Sequence, residues 1–353
     1  MGNPNDFTKM TGIKHPIVQA GMAGGITTSD LVAGVSKAGA LGTIGAGYMN
    51  ADALEKMLNE IKDLTTSPYG VNLFIPERPE INEKELKEAT EKLAPYRKEL
   101  NIEKNELPSL PNEFNRQLEL IIKHQVPVCS FTFGVPDRDI VRELKKQGII
   151  VIGTATTVEE ALINEENGVD AVTAQGSEAG GHRGTFKDSF EKGMIGMMSL
   201  VPQVVDKVQI PVIAAGGIMD GRGLLAAQVL GAQGVQMGTA FVTSVESGAK
   251  SLHKEAILHT AEDQTVITSA FSGKPARGIE NQFTREMQSV DTPPYPLQNS
   301  LTKEIRKEAA AQNKPDYMSL WSGQSPRLSR HLSAAAIIEQ VMAEREDAIK
   351  HLS

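Results

Sequence analysis

The chain has 353 residues, 40% of them hydrophobic and 23% charged, with a formal net charge of −8 at pH 7. That length suits one large barrel or two domains of ordinary size, and the composition is that of a soluble globular protein. No segment approaches the roughly 18 to 20 continuous apolar residues of a membrane-spanning helix, and the acidic balance argues against broad nucleic-acid binding, with only a local basic pocket left open.

The first residues, "MGNPNDFTKMTG", lack the basic region and apolar core of an export signal, and Asp6 stands where a myristoylation signal carries Ser or Thr. The single cysteine, Cys129, cannot form an internal disulfide, which predicts a cytoplasmic protein. Its setting in "VPVCSFTF" favours a buried strand residue over a nucleophile.

Eight short apolar runs follow in chain order: "PIVQAGM" near 17, "ALGTIGAG" near 40, "YGVNLFIP" near 70, "VPVCSFTFG" near 127, "IIVIGTA" near 149, "VDAVTAQG" near 169, "IPVIAAGG" near 210 and "AQGVQMGTA" near 232. They are continuous rather than alternating, as strands of a parallel sheet covered on both faces should be. Helical stretches separate them. Residues 136–148 begin with Pro and Asp and end in basic residues before a glycine; residues 156–168 offer Thr as N-cap and Gly168 as stop.

This rhythm predicts an α/β fold, a (β/α)8 TIM barrel, since eight strands favour closure over an open sheet. From Glu77 to Val126 the chain is charged and interrupted by Pro79, Pro95, Pro108 and Pro111, which reads as an insertion after the third strand. More chain follows the eighth strand than closing helices need. A second, smaller, mostly helical domain is therefore expected from residues 77–115 and 263–324, with the barrel in 1–76 and 116–262 and a helix in 325–353 packing back on it.

In such a barrel the loops after the strands build the site. Here they read "QAGMAGG", "GAGYM", "NLFIPE", "QGSEAGGHRG", "AGGIMDG" and "MGTAF". Any one glycine loop reads equally as a tight turn. Several converging on one face suit close backbone approach to a flat, phosphate-bearing ligand, and the loops after the seventh and eighth strands occupy the recurrent phosphate position of barrel enzymes. No GxGxxG links the first strand to a helix, so a Rossmann domain is disfavoured and a mononucleotide such as FMN fits better. Asn72 and Gln175 stand at strand ends where their amides could read such a ligand, or form turns and caps instead. No paired metal-ligand spacing occurs, so no catalytic metal is expected.

With these loops assembled, the sequence resembles the nitronate monooxygenases, formerly 2-nitropropane dioxygenases, a family of FMN-dependent (β/α)8 enzymes. "PIVQAGMAGG", "GALGTIGAGYM", "GVNLFIPE", "AQGSEAGGHRGTF", "IPVIAAGGIMDGRG", "GVQMGTAF" and "WSGQSPRL" carry the likeness essentially from end to end. The flavin loops are shared with the FMN-type enoyl-acyl-carrier-protein reductases, which use NAD(P)H. The resemblance implies that Gly21, Met22, Asn72, Gln175, Gly180, Gly181, Gly216, Gly217, Gln236, Met237, Gly238 and Thr239 contact FMN, and that His182 is the catalytic histidine. It implies oxidation of an alkyl nitronate, propionate 3-nitronate for example, through one-electron transfer to the flavin and reaction with molecular oxygen, to a carbonyl compound and nitrite. The implied partners are that small molecule and oxygen, with a homodimer left open.

The residues agree with this chemistry. Histidine ionises nearest neutrality and can take a proton from carbon beside a nitro group, or bind the anion where the substrate is already a nitronate. The alternative for His182 is a solvated loop residue. Glu178 could set its tautomer or be a solvated carboxylate; Arg183 could steer an anion or brace the loop. Trp321 could close the cavity or pack a core, and Tyr48 and Tyr317 are weaker pocket candidates.

Overall fold

Side chains along each of the eight apolar runs project alternately inward and outward, and the two sets meet different surroundings. The computed structural model describes residues 5–77, 79–80, 82–103 and 112–352. Within it the runs form β1 (Ile17–Gln19), β2 (Gly42–Gly45), β3 (Tyr69–Phe74), β4 (Val128–Thr132), β5 (Ile150–Ala155), β6 (Ala171–Gln175), β8 (Val212–Ala215) and β9 (Gly234–Met237); β7 (Gly181–His182) is a short strand outside the barrel. The eight pair in parallel in the order β1-β9-β8-β6-β5-β4-β3-β2. A parallel bridge between Val18 and Leu41 brings the two edges together, with Gln19 donating to the Leu41 carbonyl and Leu41 to that of Ile17, both at 2.9 Å. The protein is therefore a TIM-barrel fold with its helices outside.

Outward residues such as Val71, Phe131, Val151 and Val235 are fully buried beneath the helices. Cys129 is among them, and burial pushes its thiol pKa upward, away from nucleophilic use. Inward residues change character along the strand. Val18, Leu41, Val128, Ile152, Ala171 and Ile213 form an apolar floor closed by Phe7 from the helix Asp6–Thr11. Two residues further along, the same strands present Ala20, Thr43, Ser130, Thr154, Thr173 and Ala215. The floor holds the barrel together; the polar upper layers are left for a ligand.

The expected helices form as Arg138–Lys146 and Val158–Glu166. Thr157 caps the second, accepting from the Glu160 amide at 3.2 Å, whereas Asp137 makes no side-chain cap bond at the first. Pro95 does not interrupt the insertion: it lies inside the helix Glu83–Glu99, whose Ala89 and Leu93 are buried. Pro108 and Pro111 lie outside the described residues.

Over the mouth of the barrel, Leu93 and Leu100 of the insertion share a cluster with Phe271, Phe283, Ile305 and Leu320. Most of the regular structure of this cap is helical, but it also carries strands. It contains β10 (Thr265–Thr268) and β11 (Ala276–Ile279), and the third strand of their sheet is β7, from the loop after β6. Cap and barrel are stitched through that sheet, so the structure does not set a separate second domain apart. The helix Ala334–Leu352 lies against Gly221–Val229, where a β-carbon on Gly221 would stand 2.1 Å from the Arg345 nitrogen.

Candidate active site

A cavity of about 190 Å³, open on one side, occupies the space between the polar upper layer and the cap. Of the sequence-derived candidates, Gly21, Met22, Asn72, Gln175, Gly180, Gly181, His182, Gly216, Gly217, Gln236, Gly238 and Thr239 all line it. Met237 does not. Strand alternation turns its side chain outward into the helix-covered core, and its carbonyl accepts from the Ala20 amide at 3.0 Å.

The strand-end amides differ in how far the protein itself engages them. Asn72 donates to the hydroxyls of Ser130 at 3.0 Å and Thr132 at 3.2 Å. Both ends of the Gln175 amide hold the loop that follows: Oε1 accepts from the Gly184 amide at 2.8 Å, and Nε2 donates to the His182 carbonyl at 3.1 Å. Gln236 alone of the three has no side-chain partner among the described residues while lining the cavity. After β8 the chain turns through Gly216 at φ +119° and Gly217 at φ +70°, a left-handed path that disfavours other residues. At Gly180 the reason is proximity, since a β-carbon would stand 2.5 Å from the Gly323 nitrogen. Gly323 in turn donates to Thr239 Oγ1 at 2.9 Å, which ties the cap to the loop after β9.

His182 sits on β7, paired with Ala276 of β11, and is not on a flexible surface loop. Its Nε2 lies 2.8 Å from Ser272 Oγ. That hydroxyl donates its one proton to the Lys274 carbonyl at 3.0 Å, so it accepts from His182. The imidazole proton is thereby assigned to Nε2, and Nδ1 has no partner among the described residues. Burial first, then the charges of Lys274 and Arg306, hold the His182 pKa down at about 3, so the ring is neutral at pH 7.

Aromatic rings surround it. Phe133, Trp321 and Tyr295 have ring centres 5.7, 5.5 and 6.2 Å from the imidazole. Lys274 stands 4.6 Å from the centre of the Phe133 ring and 2.5 Å from Glu77 Oε1. Trp321 is held in part by His253, whose Nε2 is 2.9 Å from the Trp321 carbonyl. Tyr48 also lines the cavity; Tyr317 is buried in the cap.

The open roles of Glu178 and Arg183 resolve toward loop architecture. Glu178 accepts from the Met197 amide at 2.9 and 3.0 Å, at the start of the helix Met197–Val205, and is not bonded to the imidazole. Arg183 is 1% exposed and donates to the carbonyls of Gly176, Gln175 and Gly193, so it braces the loop and cannot steer a substrate. The sequence reading missed Glu160, a fully buried carboxylate that accepts from the Thr156, Phe186 and Lys187 amides. It also missed Ser272, Lys274, Tyr295 and Arg306. None of these follows an apolar strand, so no spacing marks them.

A parallel barrel with this mouth, and the likenesses it shows, define an oxidoreductase of flavin type. The model of the nitronate monooxygenase family matches residues 5–344. A probable nitronate monooxygenase from Staphylococcus haemolyticus (strain JCSC1435) is 51% identical over 346 residues, 96% of this chain and 97% of its own. One from Staphylococcus aureus (strain MSSA476) is also 51% identical, covering 97% of each chain. Among solved structures, nitroalkane oxidase from Streptomyces ansochromogenes superimposes with a TM-score of 0.93 at 40% identity, over 98% of this chain and 99% of that one. FabK from Thermotoga maritima gives 0.77 at 33% identity, over 98% and 97%. The chain belongs to the nitronate monooxygenase family.

Proposed function

We propose that the protein is an FMN-dependent nitronate monooxygenase that oxidises alkyl nitronates, propionate 3-nitronate among them, with molecular oxygen to a carbonyl compound and nitrite, and so detoxifies them. Two observations support FMN. The Gln236 amide faces the cavity without a protein partner, and in front of Gly181 and Gly238 the space is open, with only Ala20 Cβ within 4 Å of a β-carbon added at Gly238. The residues that would hold it are Gly21, Met22, Asn72, Gln175, Gly180, Gly181, Gly216, Gly217, Gln236, Gly238 and Thr239. FMN, when bound, supplies the redox chemistry and the reaction with oxygen. Residues 77–115 and 263–324 would make up a second, smaller domain, and its described part would shield the mouth from water.

The neutral His182 carries the substrate assignment. With a pKa near 3 it is a weak base, which disfavours taking a proton from a neutral nitroalkane and favours a substrate that arrives as the nitronate. The incoming anion offsets the charges of Lys274 and Arg306 and raises the proton affinity of the ring. Nδ1 can then hold a proton and donate it to the anion, while Ser272 fixes the ring through Nε2.

The test is oxygen uptake and nitrite release by the purified protein with propionate 3-nitronate, beside His182→Ala. Rapid uptake in the parent and its loss in the variant are expected; no uptake overturns the reading. The likeness to FabK favours one alternative, an NAD(P)H-dependent enoyl-acyl-carrier-protein reductase. Rapid loss of flavin colour on anaerobic mixing with NADH or NADPH would support it.

A further inference from the structure

Among the described residues, four other than glycine take a left-handed backbone: Asn101, Gln125, Phe133 and Asn313. Asn101, Gln125 and Asn313 directly follow the caps of the helices Glu83–Glu99, Phe114–Lys123 and Lys303–Ala311, where a left-handed residue is the ordinary way to stop. Phe133 has no such reason. It leaves β4 at the mouth of the barrel with φ +73°, a conformation that strains a bulky residue and would not strain glycine. Strain of this kind persists only where the surroundings over-determine it, and it gathers at ligand sites.

What holds Phe133 is its ring. Phe74 packs on it with ring centres 4.6 Å apart, Tyr295 at 5.4 Å, and the His182 imidazole at 5.7 Å, edge to face. The Lys274 ammonium stands 4.6 Å from its centre, a cation against an aromatic face. Phe133, Phe74, His182 and Trp321 line the cavity, whereas Tyr295 and Lys274 do not and so lie behind the Phe133 ring. From Phe74 through Phe133 and His182 to Trp321, successive ring centres are 4.6, 5.7 and 5.5 Å apart. Those are contact distances for aromatic pairs, so no gap for a methylene chain is left between the rings.

We propose that Phe133 determines chain-length specificity: its ring closes the wall beside His182, so that the site admits nitronates with short alkyl chains and excludes long ones. This rests on the nitronate monooxygenase reading and adds which substrates the site takes. A substrate anion held by the imidazole lays its carbon chain along these rings. Removing the middle ring opens the wall onto the space in front of Tyr295 and Lys274. The strained turn is what places a ring there, where glycine would leave a hole.

The test compares kcat/KM for propyl-1-nitronate and hexyl-1-nitronate in the holoenzyme and in Phe133→Ala and Phe133→Gly. A methylene that does not fit an apolar pocket changes kcat/KM by on the order of 10-fold or more, so the parent should prefer the propyl compound by at least about that factor. Phe133→Ala should raise the hexyl-to-propyl ratio by about 10-fold, mainly through KM for the longer substrate. A parent without preference, or a ratio unchanged in Phe133→Ala because both values fall alike, overturns the proposal. If Phe133→Ala does not fold, Phe133→Gly, which this backbone accepts without strain, decides it by the same ratio. Urea unfolding checks the strain itself. At this φ the glycine variant should have the higher midpoint, whereas in an ordinary strand the alanine variant would; the ordinary order removes the ground on which the proposal stands. Titration of the holoenzyme with hexanoate, a planar two-oxygen anion like a nitronate, followed by flavin absorbance, separates this wall from the wider reading. Hexanoate binding about 10-fold tighter in Phe133→Gly than in the parent upholds the wall even without nitronate oxidation; equal binding in the two sinks it.

Discussion

Replacing His182 with glutamine should flatten the dependence of stability on pH. The imidazole has a pKa of about 3 in the fold against 6.5 ordinarily, because burial and two nearby cations disfavour its charged form. Below pH 6.5 the unfolded chain therefore binds a proton that the folded one refuses. The stability due to neutral His182 is fully present above that pH and is lost as pH falls toward 3. Each unit in that window removes about 1.4 kcal/mol, so at pH 5 the loss is roughly 2 kcal/mol relative to pH 8. Buried His253 and half-buried His15 have pKa values lowered in the same sense and remain in the variant. The diagnostic quantity is thus the difference between the proteins. Urea unfolding of both at pH 8 and pH 5 measures it, and the His182→Gln protein should be less sensitive to acid than the parent by about 2 kcal/mol. Equal pH slopes would mean that His182 is solvated, or charged through an interaction not accounted for, and the neutral-imidazole argument would fail.

Three other substitutions probe the supports of the site. Ser272→Ala removes the acceptor from Nε2 and releases the tautomer; about 1 kcal/mol of orientation is at stake, so kcat with a nitronate should fall roughly five- to tenfold with flavin content unchanged, and an unaltered kcat would remove Ser272 from the site. Glu160→Gln puts an amide donor against backbone donors in a fully buried position; the urea midpoint should drop by an amount equal to roughly 3 kcal/mol or more, and a loss under about 1 kcal/mol would show that the loop does not depend on it. Gly180→Ala forces a β-carbon within 2.6 Å of both the Gly323 nitrogen and the Ser322 carbonyl carbon, so the flavin-to-protein absorbance ratio after purification should fall, and full flavin retention would refute the close approach.

The eight apolar runs were legible as strands because continuous β-branched stretches between capped helices leave a parallel sheet as the arrangement that covers both faces. The glycine loops were legible as a mouth because strand ends in such a barrel share one rim. Those inferences use neighbours close in sequence, where spacing carries the information. The same local reading could not tell which of Met237 and Gln236 points inward, since an unbroken apolar run hides the two-residue alternation. It also treated the whole insertion as broken by proline, although Pro95 is accommodated within a helix.

The chemistry around His182 was decided elsewhere. Ser272, Lys274, Tyr295 and Arg306 follow the His182 loop by some 90 residues or more and reach it only because β7 joins the antiparallel sheet of the cap. The sequence by itself determined the barrel, its mouth and the histidine set there. Tertiary structure alone decided that this histidine is neutral and which of its nitrogens carries the proton. The reason is physical: backbone propensity and strand spacing are local, whereas desolvation and charge pairing depend on distances in space between segments remote along the chain.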